Sequence, residues 1–251
     1  MSKYQEGYSL INPNVLNKDG RTLKARKIQS VINDYLKNKT FSGLILDLGC
    51  SGGIILSNIQ ISNLQKIGVD IDIRALKNAR FNQDINNIDF ICADGMNLSF
   101  RENTIAISIC NHVYEHLPDS TRLFQEIFRT LKFGGVCYCA AGNALSIMEG
   151  HYNLPFLSWL PKRTAHYYLQ IAGKGKYNYE KHLPWWSFKK QIYMFKLYDY
   201  TVQIIKNPEY FVGNDMIKPG TVLTHIPKWF LKIIFPLIPT WILMLEKPLK
   251  E

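Results

Sequence analysis

The sequence predicts a doubly wound α/β fold, in which helices cover both faces of a mostly parallel sheet. An apolar run, residues 44–48, ends in a turn that contains Gly49, Gly52 and Gly53. A second apolar run, residues 67–71, follows after an amphipathic segment. Short apolar runs that alternate with helical patterns are typical of strands in a parallel sheet.

The remaining elements are predicted in chain order from periodicity and capping residues. Residues 22–37 place apolar side chains on one helical face, and residues 136–141 form an apolar run that predicts the fifth strand. Asp72, and Asp119 or Ser120, stand where side chains cap helices. Beyond these, we expect a helix at 185–195 and strands at 200–206 and 241–246.

The length of 251 residues fits one α/β domain with additions. We divide it into an irregular N-terminal segment with a helix (1–43), a core (44–143), an insertion (144–184) and a C-terminal part that completes the same domain (185–251). The insertion is too long for an ordinary connection, so we expect it to act as a lid over the substrate.

The turn after the first strand suggests a nucleoside ligand. Gly49 carries no side chain, so the backbone there can approach a ligand closely. Asp70 ends the second strand, 21 positions after Gly49, where a carboxylate can bind a ribose diol. The dinucleotide pattern G-x-G-x-x-G is absent from this turn.

The pattern Asp47-x-Gly49-x-Ser51-x-Gly53 resembles motif I of the class I S-adenosylmethionine (SAM) dependent methyltransferases. Four further segments resemble the same family in the correct order, namely residues 68–72, 92–95, 109–119 and 129–135. The similarity is closest to the type 11, small-molecule subgroup that includes quinone-biosynthesis enzymes. Three positions depart from the family pattern, namely Ser51 at the middle glycine, Ala106 at a frequent aspartate and Ser99 at a frequent proline.

This resemblance implies SAM as the cofactor and a Rossmann-like, seven-stranded sheet whose last strand is antiparallel. In such a fold Asp70 would bind the ribose and Asp94 would meet the adenine amino group. The expected cofactor-binding residues are Asp47, Gly49, Cys50, Ser51, Gly53, Asp70, Ile71, Asp94, Gly95, Asn111 and His112.

His116 is the candidate catalytic base, because the pair Glu115-His116 resembles a recurring pair in the family. A role in orienting its loop is the alternative for His116. His151 and His182 bracket the insertion and are weaker candidates. The five cysteines fall in or beside predicted core strands, without a partner at metal-ligand spacing, so we expect reduced thiols and no metal site.

The acceptor is expected near the insertion. Residues 151–200 hold 14 of the 32 aromatic residues, which suits an apolar or planar acceptor, although a small separate core is an equal alternative. The net charge is +10, of which residues 160–251 contribute +8. This excess suggests either an anionic surface, such as lipid headgroups, or solubility alone.

We therefore expect methyl transfer to a small-molecule or lipid-linked acceptor, at oxygen or carbon. The alternatives are an RNA methyltransferase and a non-catalytic binding protein of the same fold, and we favour a small molecule over nucleic acid. Residues 226–235 suggest an interfacial helix, whereas Lys232, Pro236 and Pro239 interrupt any membrane span. The first residues lack an apolar stretch, so we expect a cytoplasmic protein, with membrane association as an alternative.

Overall fold

The computed structural model describes residues 17–37, 39–82, 85–175 and 177–250. In the first half the elements are α1 (Lys18–Leu36), β1 (Gly43–Leu48), α2 (Ile54–Asn58), β2 (Leu64–Asp70), α3 (Ile73–Phe81), β3 (Ile88–Cys92), β4 (Ile105–Asn111), a 3₁₀ turn (Tyr114–His116), α4 (Ser120–Thr130) and β5 (Leu131–Gly142). In the second half they are β6 (Met148–Glu149), β7 (Leu154–Pro155), a 3₁₀ turn (Leu157–Trp159), α5 (Lys162–Ile171), α6 (Trp185–Gln191), β8 (Lys196–Asp199), α7 (Thr201–Lys206), α8 (Val222–His225), α9 (Lys228–Ile233), a 3₁₀ turn (Phe235–Leu237) and β9 (Thr240–Glu246).

Seven strands form one sheet in the order β3-β2-β1-β4-β5-β9-β8. The pairs from β3 to β5 are parallel, whereas β9 pairs antiparallel with both β5 and β8. This arrangement confirms the predicted fold class, including the antiparallel last strand. The order reverses between β1 and β4, and the carboxyl ends of parallel strands that flank such a reversal form a ligand crevice.

Helices cover both faces of the sheet with separate apolar cores. On one face, Ile28 and Ile32 of α1 belong to the same buried cluster as Ile45 and Ile107 of the central strands. On the other face, helices α4 and α6 and strand β9 share a second buried cluster, in which the Phe188 and Trp241 rings stack 5.5 Å apart. Both faces are buried, so the central strands are mostly apolar, as is typical of parallel sheets, with Asp47 and Ser108 as buried polar exceptions.

The prediction of a strand at residues 200–206 is wrong, because this segment forms α7 and the strand β8 precedes it. The backbone N–H of Tyr200 makes the last ladder bond, 3.0 Å to the carbonyl of Ile242. The Thr201 hydroxyl then makes hydrogen bonds to both backbone groups of Ile242. It accepts from the N–H (2.9 Å) and donates to the carbonyl (3.2 Å). Asp199 accepts from the Val202 N–H in the first turn of α7. The bonds between Thr201 and Ile242 are tertiary contacts, and they override the β-propensity of this apolar segment.

Other predicted elements are confirmed with small changes of boundary. The first helix begins at Lys18, where the Asn17 side chain caps it by accepting from the Gly20 N–H. Asp72 and Asp119 cap α3 and α4 through their side chains. Residues 226–235 contain only the short helix α9, which lies between Pro227 and Pro236.

Residues 144–184 contain a two-stranded sheet, β6 with β7, and helix α5. Their buried apolar side chains, Leu154, Leu157, Ala165 and Leu169, form a separate small core against which Tyr152 and Tyr168 pack. Two of the aromatic residues of this segment therefore serve a satellite core, whereas Phe156, Trp159, Tyr167, Tyr177 and Tyr179 are exposed.

Candidate active site

A cavity of about 980 Å³ lies at the carboxyl ends of β1, β2 and β4. One end of the cavity is formed by Gly49, Ser51 and Asp70, and the other by the segment that precedes β9. Its volume is in the range of cavities that hold drug-sized ligands and cofactors.

The glycine-rich turn between β1 and α2 is held in left-handed backbone conformations. Gly49, Ser51 and Gly53 have φ angles of +67°, +49° and +72°. A Cβ atom at Gly49 would lie 2.9 Å from Cγ2 of Val113, so no side chain fits between this turn and the loop after β4. Ser51 adopts the conformation that the family's middle glycine favours, at the cost that a non-glycine residue bears there.

Asp70 connects the turn with the end of β2. Its Oδ2 accepts from the Ser51 N–H (2.7 Å), and its Oδ1 accepts from the Asp72 N–H (2.8 Å). A carboxylate has about four acceptor sites, so capacity remains for ligand hydroxyls. Burial raises the pKa of Asp70, and the two backbone donors oppose that rise.

The structure brings most of the predicted site residues to this cavity. Its lining includes Gly49, Ser51, Asp70, Ile71, Gly95, Asn111, His112 and His116. Asp47, Cys50, Gly53 and Asp94 are not among the lining residues that the structure describes. Gly53 is enclosed by Phe90, Cys50 is buried, and Asp94 accepts a hydrogen bond from the Met96 N–H (2.8 Å), so these residues shape the loops around the cavity.

Asp47 lies behind the turn and is buried, at 2% exposure. Its Oδ2 has no hydrogen-bond partner among the described residues. Burial raises the pKa of Asp47 to about 7, although the charge of Arg21 lowers it and that of Asp70 raises it.

Two sets of lining residues were missed in the sequence. Arg21, Lys24 and Lys27 of α1 reach the cavity, and their spacing of three residues, which places them on one face of the helix, was the available signal. The second set is an apolar wall, formed by Met216, Ile217, Leu223, Leu231, Ile234, Leu237 and Ile238. By contrast, none of the 14 aromatic residues of segment 151–200 is among the described lining residues, so the expected aromatic pocket is wrong for this cavity.

The loop after β4 contains a buried carboxylate with two histidines. His112 has a φ angle of +56°, and its Nδ1 lies 3.0 Å from Oε1 of Glu115. Burial would raise the pKa of Glu115, but this contact and the neighbouring histidines lower it to about 2. Burial keeps the pKa values of His112 and His116 below the ordinary histidine value.

Comparison with known proteins identifies the family. Residues 46–139 match the family model of a methyltransferase domain, type 11. Residues 46–139 form a class I SAM-dependent methyltransferase domain. The matched residues run from β1 into β5, and they include the glycine-rich turn, Asp70 and the loop after β4.

Curated relatives of the methyltransferase domain are about one quarter identical to it. The ubiquinone biosynthesis O-methyltransferase of Idiomarina loihiensis is 27% identical over 158 residues, which are 58% of this chain and 64% of the relative. The enzyme of the same name from Actinobacillus pleuropneumoniae is 25% identical over 166 residues, 59% of this chain and 64% of the relative. The chain thus spans just under two thirds of the length of these relatives.

Solved structures show the same fold. The plantazolicin methyltransferase BpumL, in complex with a monoazolic desmethylPZN analogue and S-adenosylhomocysteine (SAH), is 19% identical with a TM-score of 0.59, covering 94% of this chain and 88% of that one. The [4+2]-cyclase SpnF is 15% identical with a TM-score of 0.51, covering 88% of this chain and 81% of that one. A methyltransferase and a cyclase share the fold, so the reaction must be argued from the site.

Proposed function

We propose that this chain transfers the methyl group of SAM to a small or lipid-linked apolar acceptor. The observation that carries the proposal is the division of the cavity. Its polar end is built from Gly49, Ser51 and Asp70, whereas its other end is lined by apolar side chains of residues 216–238. A polar nucleoside and an apolar acceptor thus have separate places in one enclosure.

At the polar end, Asp70 would bind the ribose hydroxyls, and the backbone of Gly49 and Ser51 would lie against the cofactor. Gly95, Ile71 and Asn111 line the same end, next to the place assigned to the adenine. The amino-acid part of SAM carries an ammonium and a carboxylate. Arg21, Asp70 and Asp72 all line the cavity, so this region offers both signs of charge.

SAM supplies an electrophilic methyl group when it is bound. The chain would then orient the acceptor in line with that group and exclude water, which can contribute about 7–11 kcal/mol to lowering the barrier. His116 lines the cavity beside Asn111 and His112, so we assign it to accept a proton from a hydroxyl acceptor.

The wall of residues 216–238 supports an apolar acceptor that is reached from a lipid surface. Its outer side exposes Val222 (80%), Trp229 (65%) and Ile233 (66%), and Lys228 and Lys232 lie beside them. Exposed apolar side chains with flanking lysines favour adsorption to anionic lipid. No helix among the described residues has the length and apolar character that crossing a bilayer requires.

The test combines binding with turnover. Calorimetry should show that one SAM binds per chain, and labelled SAM should transfer its methyl group to a phenolic acceptor that carries a polyprenyl tail. The relatives named ubiquinone biosynthesis O-methyltransferase motivate this acceptor. A panel of phenols, carboxylic acids and amines, each with and without the tail, defines the acceptor atom. Absence of SAM binding would refute the proposal, and binding without turnover on the whole panel would favour a non-catalytic protein.

A further inference from the structure

A cluster of two histidines and a glutamate lies beside the cavity, outside the residues assigned to the cofactor. Oε1 of Glu149 lies 2.7 Å from Nδ1 of His151 and 3.2 Å from Nε2 of His182. The three ligand atoms all lie within 4.8 Å of one another. The edge of a tetrahedral site with Zn–N bonds of about 2.0–2.1 Å is about 3.3–3.4 Å. The contact between Glu149 and His182 matches this edge, whereas the shorter contact with His151 would have to lengthen when an ion binds.

Glu149 is held so that one of its oxygens is directed at the two imidazoles. Its Oε2 accepts from the backbone N–H groups of His151 (2.9 Å) and Tyr152 (2.8 Å). The carboxylate is therefore fixed by two backbone donors, as the outer contacts of metal ligands fix their orientation.

The residues on either side of His182 are fixed by hydrogen bonds of their backbone N–H groups. The Lys181 N–H donates to the Glu115 carbonyl (2.7 Å), and the Leu183 N–H donates to the Tyr114 hydroxyl (3.1 Å). A Cβ atom on Gly142 would lie only 2.7 Å from His182 Nδ1, so the absence of a side chain at residue 142 makes room for this ring. Rigid presentation of ligands is what distinguishes a built site from a chance cluster.

The surroundings contain an excess of buried carboxylates. Glu115, Glu149 and Glu180 are 0%, 2% and 6% exposed. The His151 ring lies against His116 at 5.0 Å and against His182 at 5.8 Å between centroids. Buried negative charges are stabilised when a cation is placed among them.

We propose that Glu149, His151 and His182 bind a divalent transition-metal ion. Two imidazoles with one carboxylate suit Zn²⁺, Co²⁺ or Fe²⁺, whereas Mg²⁺ prefers oxygen ligands alone. His151 lines the cavity, so the ion would lie at the wall of that cavity. The ion also joins β6 to the segment before α6, which secures the insertion against the sheet.

The test is metal binding by the chelator-treated full chain, and its readout does not depend on methyl transfer. Titration with Co²⁺ should reach one equivalent and produce a visible absorption band of a low-coordinate site, which Zn²⁺ abolishes and millimolar Mg²⁺ leaves unchanged. E149Q and H182Q should each lower the Co²⁺ affinity by at least 100-fold. The matched controls E209Q and H225Q change exposed residues outside the cluster and should keep the affinity of the unmodified chain.

A further variant, G142A, addresses the case in which E149Q or H182Q fails to fold. G142A keeps all three ligands but displaces the His182 ring, so it should lower the affinity while circular dichroism stays unchanged. Wild-type protein that takes up no Co²⁺ or Zn²⁺ would show that the cluster is a hydrogen-bonded network alone. Wild-type affinity in folded E149Q, H182Q or G142A would place any bound ion elsewhere. SAM binding without metal binding would refute this inference and leave the proposed function intact.

Discussion

The backbone N–H of Ser51 donates a 2.7 Å hydrogen bond to the carboxylate of Asp70. This bond joins the glycine-rich turn after β1 to the end of β2, two segments that are 19 residues apart in the chain. The residue that departs from the family's glycine pattern is thus held by the acid that is assigned to the ribose. The two segments that are assigned to the cofactor are therefore also bonded directly to each other.

Replacement of Asp70 tests the assigned ribose contact. Asp70→Ala should weaken SAM binding by about 1.5–3 kcal/mol, the range for hydrogen bonds to a charged group, or about 10- to 150-fold by calorimetry. Asp89→Ala on neighbouring β3 removes an exposed acid and should leave the affinity unchanged. Equal affinity of the two folded variants would show that Asp70 does not contact the cofactor.

Substitution of Gly49 should abolish SAM binding without unfolding the chain. Gly49→Val adds atoms that collide with Val113 and strains a φ angle of +67°. Gly173→Ala separates these effects, because its φ angle is +65° but nothing described lies within 4 Å. Normal SAM binding by Gly49→Val would mean that the cofactor does not lie over this turn. Gly173→Ala is a valid control only if it binds SAM normally.

Asp47 should make stability depend on pH. Its folded pKa of about 7 exceeds the ordinary value of 3.8, so the folded chain binds an extra proton between these values. The associated stability is present below about pH 4 and is lost as the pH rises through 7, an effect on the order of 2–4 kcal/mol. The free energy of unfolding, measured in urea at pH 4.5, 6 and 8, should fall with rising pH in the wild type. Asp47→Asn should reduce this pH dependence and Asp89→Asn should not. If the free energy of unfolding depended on pH equally in Asp47→Asn and in the wild type, Asp47 would not be a buried acid with a raised pKa.

The apolar wall should control the acceptor and leave SAM binding alone. Leu223→Ala and Leu237→Ala remove partly exposed lining side chains, and each should raise the acceptor KM about fivefold or more. Trp159→Ala is the control, because Trp159 is 52% exposed and is not among the described lining residues. If Trp159→Ala raised the acceptor KM more than the two wall variants do, the insertion and not the wall would recognise the acceptor.

Lipid binding should depend on the lysines of α9. Lys228→Gln with Lys232→Gln should reduce partition onto anionic vesicles about 30-fold, at about 1 kcal/mol per lysine. The matched double variant Lys162→Gln with Lys174→Gln removes two exposed lysines of the insertion and should have little effect. Sedimentation with anionic and neutral vesicles measures this, and added salt should weaken the wild-type binding. Equal binding to both vesicle types would leave the positive charge as a solubility feature.

The cofactor end of the site could be predicted from the sequence because its groups follow strands in a fixed order. Gly49 and Asp70 stand at strand ends, and parallel strands bring such ends together. Asp94 and Cys50 fall in the same loops, but they are not among the described lining residues, a difference that spacing does not reveal.

The other end could not be predicted, because its parts are distant in the chain and are brought together only by folding. The apolar wall and the basic residues of α1 meet across the cavity, and Lys27 lies 2.6 Å from Asp215, 188 residues away. The cluster of Glu149, His151 and His182 escaped notice for the same reason, since His182 follows His151 by 31 residues. The α7 segment was predicted as a strand, whereas the bonds between Thr201 and Ile242, which end the strand there, join residues 41 positions apart and cannot be read from the sequence.

The position of β9 between β5 and β8 has a consequence for how the chain reaches its native state. Within the described residues, β8 pairs with β9 alone, although β9 is synthesised 40 residues later. While it emerges from the ribosome, β8 has no neighbour to bond to, and the exposed edge of β5 can pair with other chains. The residues between these strands include the apolar wall. Truncation within residues 240–246 would therefore leave that wall without an anchor and convert an enzyme-like cavity into an aggregation-prone surface.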